Sequence, residues 1–156
     1  MMQNFLESLE DFSVTKQFIS PDRDSMIAID EVHQKIVVVF RQPQQRNFLT
    51  TYNYDHKIFS FQQLDGAEVL EDKRPLRKRF REDALSELHR PVKRMTTGRS
   101  LIPPEKISTL ELRVMVREMT EASCHVNFWP LHTKVSKESK TYVQAKREIV
   151  TWDALL

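Results

Sequence analysis

The chain has 156 residues, 40% apolar and 29% charged, with 24 Lys and Arg against 22 Asp and Glu for a net charge of +2. A chain of this length is expected to fold as one domain, burying about 70% of its unfolded surface. Its two glycines leave little material for dinucleotide or phosphate loops, and its one cysteine, Cys124, excludes an internal disulfide and fits a reducing compartment.

The chain opens with Phe5, Leu6, Leu9 and Phe12 at helical spacing, Asn4, Glu7, Ser8, Glu10 and Asp11 falling opposite. This predicts a short amphipathic helix over residues 2–12 that lies on the main domain or on a partner, because three turns alone in water are marginal. The first residues show neither the apolar core nor the basic leader of a signal peptide. No run approaches the roughly 18 apolar residues of a membrane span, so a soluble, cytoplasmic protein is expected.

From Met26 the period becomes that of strands. Residues 26–30 and 35–41 read as a hairpin around 31–34, and 47–52 and 57–61 as a second, weaker pair around Asn53-Tyr54-Asp55-His56. Residues 66–71 add a fifth strand. In 109–118, Leu110, Leu112, Val114 and Val116 alternate with Glu111, Arg113, Met115 and Arg117. Residues 124–129 repeat the pattern, Cys124, Val126 and Phe128 inward and His125, Asn127 and Trp129 outward, and the polar link 119–123 makes the two a hairpin. Trp129 has two readings, an exposed adhesive ring or one packed under the last helix. That helix is predicted over 142–156, with Tyr142, Ala145, Ile149, Trp152, Leu155 and Leu156 on one face. Seven short strands and a closing helix suit an open, twisted antiparallel barrel whose mouth the helix plugs.

The wording of several segments carries a resemblance. Phe18-Ile19-Ser20-Pro21-Asp22, Ile27-Ala28-Ile29-Asp30-Glu31 and Lys35-Ile36 resemble the opening of small pleckstrin-homology (PH)-like proteins found in Firmicutes and their phages. LDGAEVLED at 64–72 is similar to their fifth strand, 110–116 with 125–128 to their last hairpin, and Ala145 with Trp152-Asp153-Ala154-Leu155-Leu156 to their closing helix. The resemblance implies a mainly β, PH-like seven-stranded antiparallel barrel closed by a C-terminal helix, and a binding or scaffolding role with no catalytic residues to carry over. The expected division is an N-terminal helix at 1–17 and a PH-like domain at 18–156. Many relatives carry a glycine-rich or apolar stretch after the fifth strand. Here a basic insert at 73–108 stands in its place, so membrane anchoring is not carried over.

Residues 73–99 hold ten Lys and Arg against three acids, a net charge of +7, which leaves −5 on the rest of the chain. Separated charge of this kind is how a soluble protein addresses a polyanion. Between Pro75 and Pro91, Phe80, Ala84 and Leu88 recur at helical spacing, with Leu85 beside them, which predicts a short amphipathic helix over 78–90 between two basic arms. Arg74, Arg77, Lys78, Arg79, Arg81, Arg90, Lys93, Arg94 and Arg99 are the candidate contact residues. Arg outnumbers Lys seven to three in this segment, and the guanidinium fork suits phosphates and acidic protein faces alike.

The competing reading is a solvated loop that keeps the protein soluble. The candidate partners are nucleic acid, for which only Phe80 offers a stacking ring in the segment, and an acidic protein. An anionic lipid surface is a weaker alternative because no ridge of exposed Trp or Leu accompanies the charge. Two apolar helices and an exposed strand edge permit a homodimer.

Other constellations are weak. None of His33, His56, His89, His125 and His132 has a metal-site spacing. Cys124 and His125 are strand neighbours on opposite faces and make no dyad. Asp22, Asp24, Asp30 and Glu31 match no calcium loop and read as turn residues. No enzyme, metal or cofactor is expected.

Overall fold

The structure is a computed structural model and describes residues 2–46, 48–76, 105–117, 123–130 and 133–156. The chain is mainly β with antiparallel sheets and a C-terminal helix. A helix α1 (Met2–Glu7) leads into strands β1 (Lys16–Ile19), β2 (Ser25–Asp30), β3 (Lys35–Arg46) and β4 (Leu49–Ser60). A 3-10 turn (Phe61–Gln63) passes to β5 (Leu64–Glu71) and β6 (Arg74–Pro75). Beyond residue 104 come β7 (Lys106–Ile107), β8 (Leu110–Val116), β9 (Ser123–Asn127), β10 (Val135–Ser136) and helix α2 (Lys140–Leu155). Strands β1-β2-β3-β4 form one four-stranded sheet, β6-β5-β8-β9 a second, and β10-β7 a two-stranded pair. No closed barrel forms among the described residues.

The two sheets pack face to face, the second through the side that the alternation of Leu110, Leu112, Val114 and Val116 predicts. Ile27, Ile29, Ile36, Val38 and Phe59 from the first sheet meet Val69, Leu112, Val114 and Val126 from the second, and α2 adds Tyr142, Ile149 and Trp152. The first sheet is also covered on its other face. Met26, Ala28, Val37 and Val39 lie under Leu6, with Phe5, Leu9, Phe12 and Ile19 around them. Consecutive apolar residues at 26–29 and 36–39 are thus accounted for: a strand buried on both faces has no polar side to show.

Four expectations are corrected. The pair at 47–52 and 57–61 is one strand, β4, and Asn53-Tyr54-Asp55-His56 lies within it opposite Gln42, Arg41, Phe40 and Val39. The reversal falls instead between Arg46 and Leu49, where Phe48 has a φ of 64°. A polar run resembles a turn by composition, but an exposed two-stranded ribbon is equally polar. Strand β1, which the pattern missed, pairs with β2 at that sheet's edge. Helix α1 stops at Glu7 because the Ser8 hydroxyl donates to the Phe5 carbonyl (2.6 Å) and Asp11 turns left-handed, φ 57°. Strand β9 ends at Asn127, so Trp129 is not an outward strand residue. Its ring is buried edge-on to Tyr142 (6.4 Å), and its Nε1 donates to the Thr133 carbonyl (2.8 Å). Asn127 is buried as well.

Candidate anion-binding segment and its anchorage

Arg77, Lys78, Arg79, Arg81, Arg90, Lys93, Arg94 and Arg99, and the helix predicted over 78–90, lie outside the described residues. The described residues on either side of that segment are 72–76 and 105–109. On the outgoing side Asp72 and Lys73, with φ of 46° and 66°, form the two-residue turn that folds β6 back on β5, placing Arg74 opposite Glu71 and Pro75 opposite Leu70. Successive left-handed residues are the signature of a tight hairpin, normally filled by Asn and Gly. Arg74 is exposed on β6.

The returning side is tied to that same turn. The Asp72 carboxylate accepts from the backbone N–H groups of Ser108 (2.7 Å) and Thr109 (3.0 Å), and the Asp72 N–H donates to the Thr109 carbonyl (3.0 Å). Further along, β7 pairs with β10, and the Lys137 N–H donates to the Glu105 carbonyl (2.8 Å). Residues 72 and 109 are therefore clamped together.

Acidic and basic groups meet beside that clamp. Lys137 Nζ lies 3.1 Å from a Glu71 carboxylate oxygen and 2.9 Å from one of Glu105, and Lys146 Nζ approaches Glu71 at 4.0 Å. Buried Glu71 also accepts from the Tyr142 hydroxyl. Burial, and then the bond to Glu71, push the Tyr142 pKa far upward, so the phenol stays a donor at every physiological pH. Burial pulls the Lys137 pKa down, but the bonds to Glu105 and Glu71 outweigh it and the net shift is upward, keeping the ammonium charged. Glu71, Glu105 and Lys137 line a cleft of about 360 Å³ with Asp72, Arg74 and Leu76.

One cation of the basic stretch is already engaged. Lys73 Nζ lies 2.6 Å from Glu111 on β8, whose other oxygen is 3.8 Å from His125. The nearby His125 ring, and then Lys73, hold the Glu111 pKa below the usual carboxylate range against the effect of burial. Lys73 is thus a structural anchor.

The four apolar residues expected to meet a partner, Phe5, Leu6, Leu9 and Phe12, sit against the chain's own first sheet. Of the two places left open for that helix, the main domain is the one seen. Cys124 is buried and His125 exposed across the strand, so they form no dyad. The acids around the first hairpin serve turns. Asp24 accepts from the Ser20 hydroxyl (2.5 Å), and Asp30 from the N–H groups of Ser13 (2.7 Å) and His33 (2.9 Å). Among the described residues no three His, Cys, Asp or Glu side chains are placed to hold a metal ion, and no helix is long and apolar enough to cross a membrane.

Sequence reasoning missed the distal part of the β3–β4 hairpin. Strand β2 accompanies β3 only as far as Phe40. Beyond it a bare two-stranded ribbon continues, exposing Phe48, Leu49, Tyr52 and Tyr54, with the Arg41 guanidinium 3.5 Å from the centre of the Tyr52 ring. The absence of any acid between Arg41 and Tyr54 was the available signal. No protein-family model, curated protein or solved structure matches this chain.

Proposed function

We propose that this chain is a non-catalytic binding protein with a PH-like body, whose basic segment docks on an anionic macromolecule, either nucleic acid or the acidic surface of a protein. The order of elements supports the PH-like reading: a four-stranded meander, a second antiparallel sheet in which β5, β8 and β9 are neighbours in that order, and a terminal helix that joins the core the sheets share. The observation that carries the function is the charge separation, +7 over residues 73–99 against −5 elsewhere. The anchorage adds to it. A cationic segment whose two ends are clamped within one hydrogen-bonded turn loses less freedom on docking than a tail does. Arg77, Arg79, Arg81 and Arg94 supply forks for phosphate or carboxylate oxygens, and counterion release makes such binding steeply salt-dependent.

The test titrates the chain with labelled DNA and RNA, with an acid-rich polypeptide and with anionic vesicles, each at two salt concentrations. Six phosphate contacts predict a loss of about 10³-fold in nucleic-acid affinity between 50 and 200 mM salt. Reversal to Glu at Arg77, Arg79, Arg81 and Arg94 together abolishes binding while circular dichroism is unchanged. Affinity that survives the reversal, or no binding in any arm, refutes the reading. Binding to vesicles alone replaces it with a membrane-surface role.

A further inference from the structure

The hairpin that reaches past the sheet has two unequal edges. On the β3 side the Arg41 N–H donates to the Asp24 carbonyl (2.7 Å), so Arg41 points its backbone groups away from β4. Alternation then directs those of Pro43 to the same outer edge, where a proline forfeits no ladder bond and blocks pairing with another strand. On the β4 side the same alternation, carried across from Arg41 to its partner Tyr54, directs the backbone groups of Tyr52, Tyr54, His56, Ile58 and Ser60 outward. Two of those N–H groups are met locally, His56 by the Asp55 carboxylate (2.8 Å) and Ser60 by Gln63 Oε1 (2.9 Å). Along all twelve residues of β4 no proline interrupts the edge, and among the described residues it pairs with β3 alone.

We propose that this edge pairs antiparallel with the same edge of a second copy, with His56 opposite its own counterpart at the two-fold axis. The side chains select both the occupant and the register. Residues on an outward edge pair with residues of the same set, which leaves only alignments in steps of two. Centring on Asp55 sets that carboxylate against itself, and centring on Lys57 does the same to the ammonium; like charges directly opposite are destabilising. Centring on His56 places each Asp55 opposite the other copy's Lys57 and each Tyr54 opposite the other copy's Ile58. Ile58, 40% exposed in the single chain, gains cover from the new strand, while the Tyr54 hydroxyl keeps its bond to the Arg23 carbonyl (3.0 Å) on the far side of β3. Asp55 exchanges its own His56 N–H for an ion pair, and that N–H turns to the other copy's carbonyl.

Sedimentation velocity across a concentration series tests this with four chains. Wild type dimerises. Asp55→Lys and Lys57→Asp each weaken the dimer by on the order of tenfold, since two pairs per dimer turn repulsive. The double variant recovers wild-type affinity. A register-specific arm uses His56→Cys. A directly opposed hydrogen-bonded pair has Cα atoms about 5.5 Å apart, within the range of a disulfide, so mild oxidation yields a covalent dimer. Tyr54→Cys, two residues from the axis, does not crosslink. Native Cys124 is buried and stays silent in both. A wild-type chain that remains monomeric at its highest soluble concentration overturns the proposal. So do single variants without effect, a double variant that fails to recover, or crosslinking by Tyr54→Cys rather than His56→Cys.

Discussion

The near and far halves of the β3–β4 hairpin share one uninterrupted ladder of twelve pairs and have opposite surroundings. In the near half, Ile36 and Val38 face the core between the sheets while Val37 and Val39 lie under Leu6, so both surfaces are covered. In the far half, beyond Phe40, no third strand follows among the described residues, and Leu49, Tyr52 and Tyr54 are exposed. Backbone pairing and burial are separate properties here. The ladder sets how far the strands extend, and the neighbours decide how much of that length stabilises the fold.

Truncation at matched positions breaks the comparison most directly. Ile36→Ala removes a fully buried side chain and is expected to cost about 2–5 kcal/mol in urea denaturation. Leu49→Ala, on the far half, stays within about 0.5 kcal/mol. Equal costs would mean that the far half is covered after all.

A smaller effect separates the near half by pH. Buried Asp30 ends β2 at the turn into β3. Burial raises its pKa, but the N–H groups of Ser13 and His33 and the His33 ring outweigh it and hold the value at about 2. Its folded pKa lies below the ordinary 3.8, so its contribution is complete above about pH 4 and is lost as the pH falls toward 2. Asp30→Asn should lower stability at neutral pH and flatten the acid limb between those values, as read from urea midpoints. An unchanged acid limb would show that the carboxylate is not held as described.

The smallest effect belongs to the tip. Phe48 has φ 64° and is fully exposed, so it bears left-handed strain without packing in return. Phe48→Gly creates the Asn-Gly pair that tight hairpins favour and should raise stability by about 0.5–1 kcal/mol. A loss of stability would mean that the ring makes a contact worth more than the strain.

Particular elements show which signals could be read. The alternation of Leu110, Leu112, Val114 and Val116 gave the inward face of β8 because one side of that strand is buried and the other is not. Where burial is two-sided, as at 26–29, the same reasoning yields a strand but no facing direction. Where it is absent, as at 53–56, polarity mimics a turn. Strand β1 escaped notice because Lys16 and Gln17 are exposed and only Phe18 and Ile19 lean on the core, too short a stretch for a period to show. For the cationic segment, charge was legible from composition alone, whereas its anchorage was not. The bonds from Asp72 to Ser108 and Thr109 span 36 and 37 residues, and no local pattern reports a contact at that distance.

The sequence by itself determined the mainly β architecture, the closing helix and the position of the cationic segment, because periodicity and charge are properties of neighbouring residues. Tertiary structure alone decided that the N-terminal apolar stripe is consumed by the chain's own sheet, that Lys73 is an anchor held by Glu111, and that among the described residues β4 pairs with β3 alone. Each of these depends on which distant group fills the space beside a side chain or a backbone N–H, and that is settled only when the sheets meet.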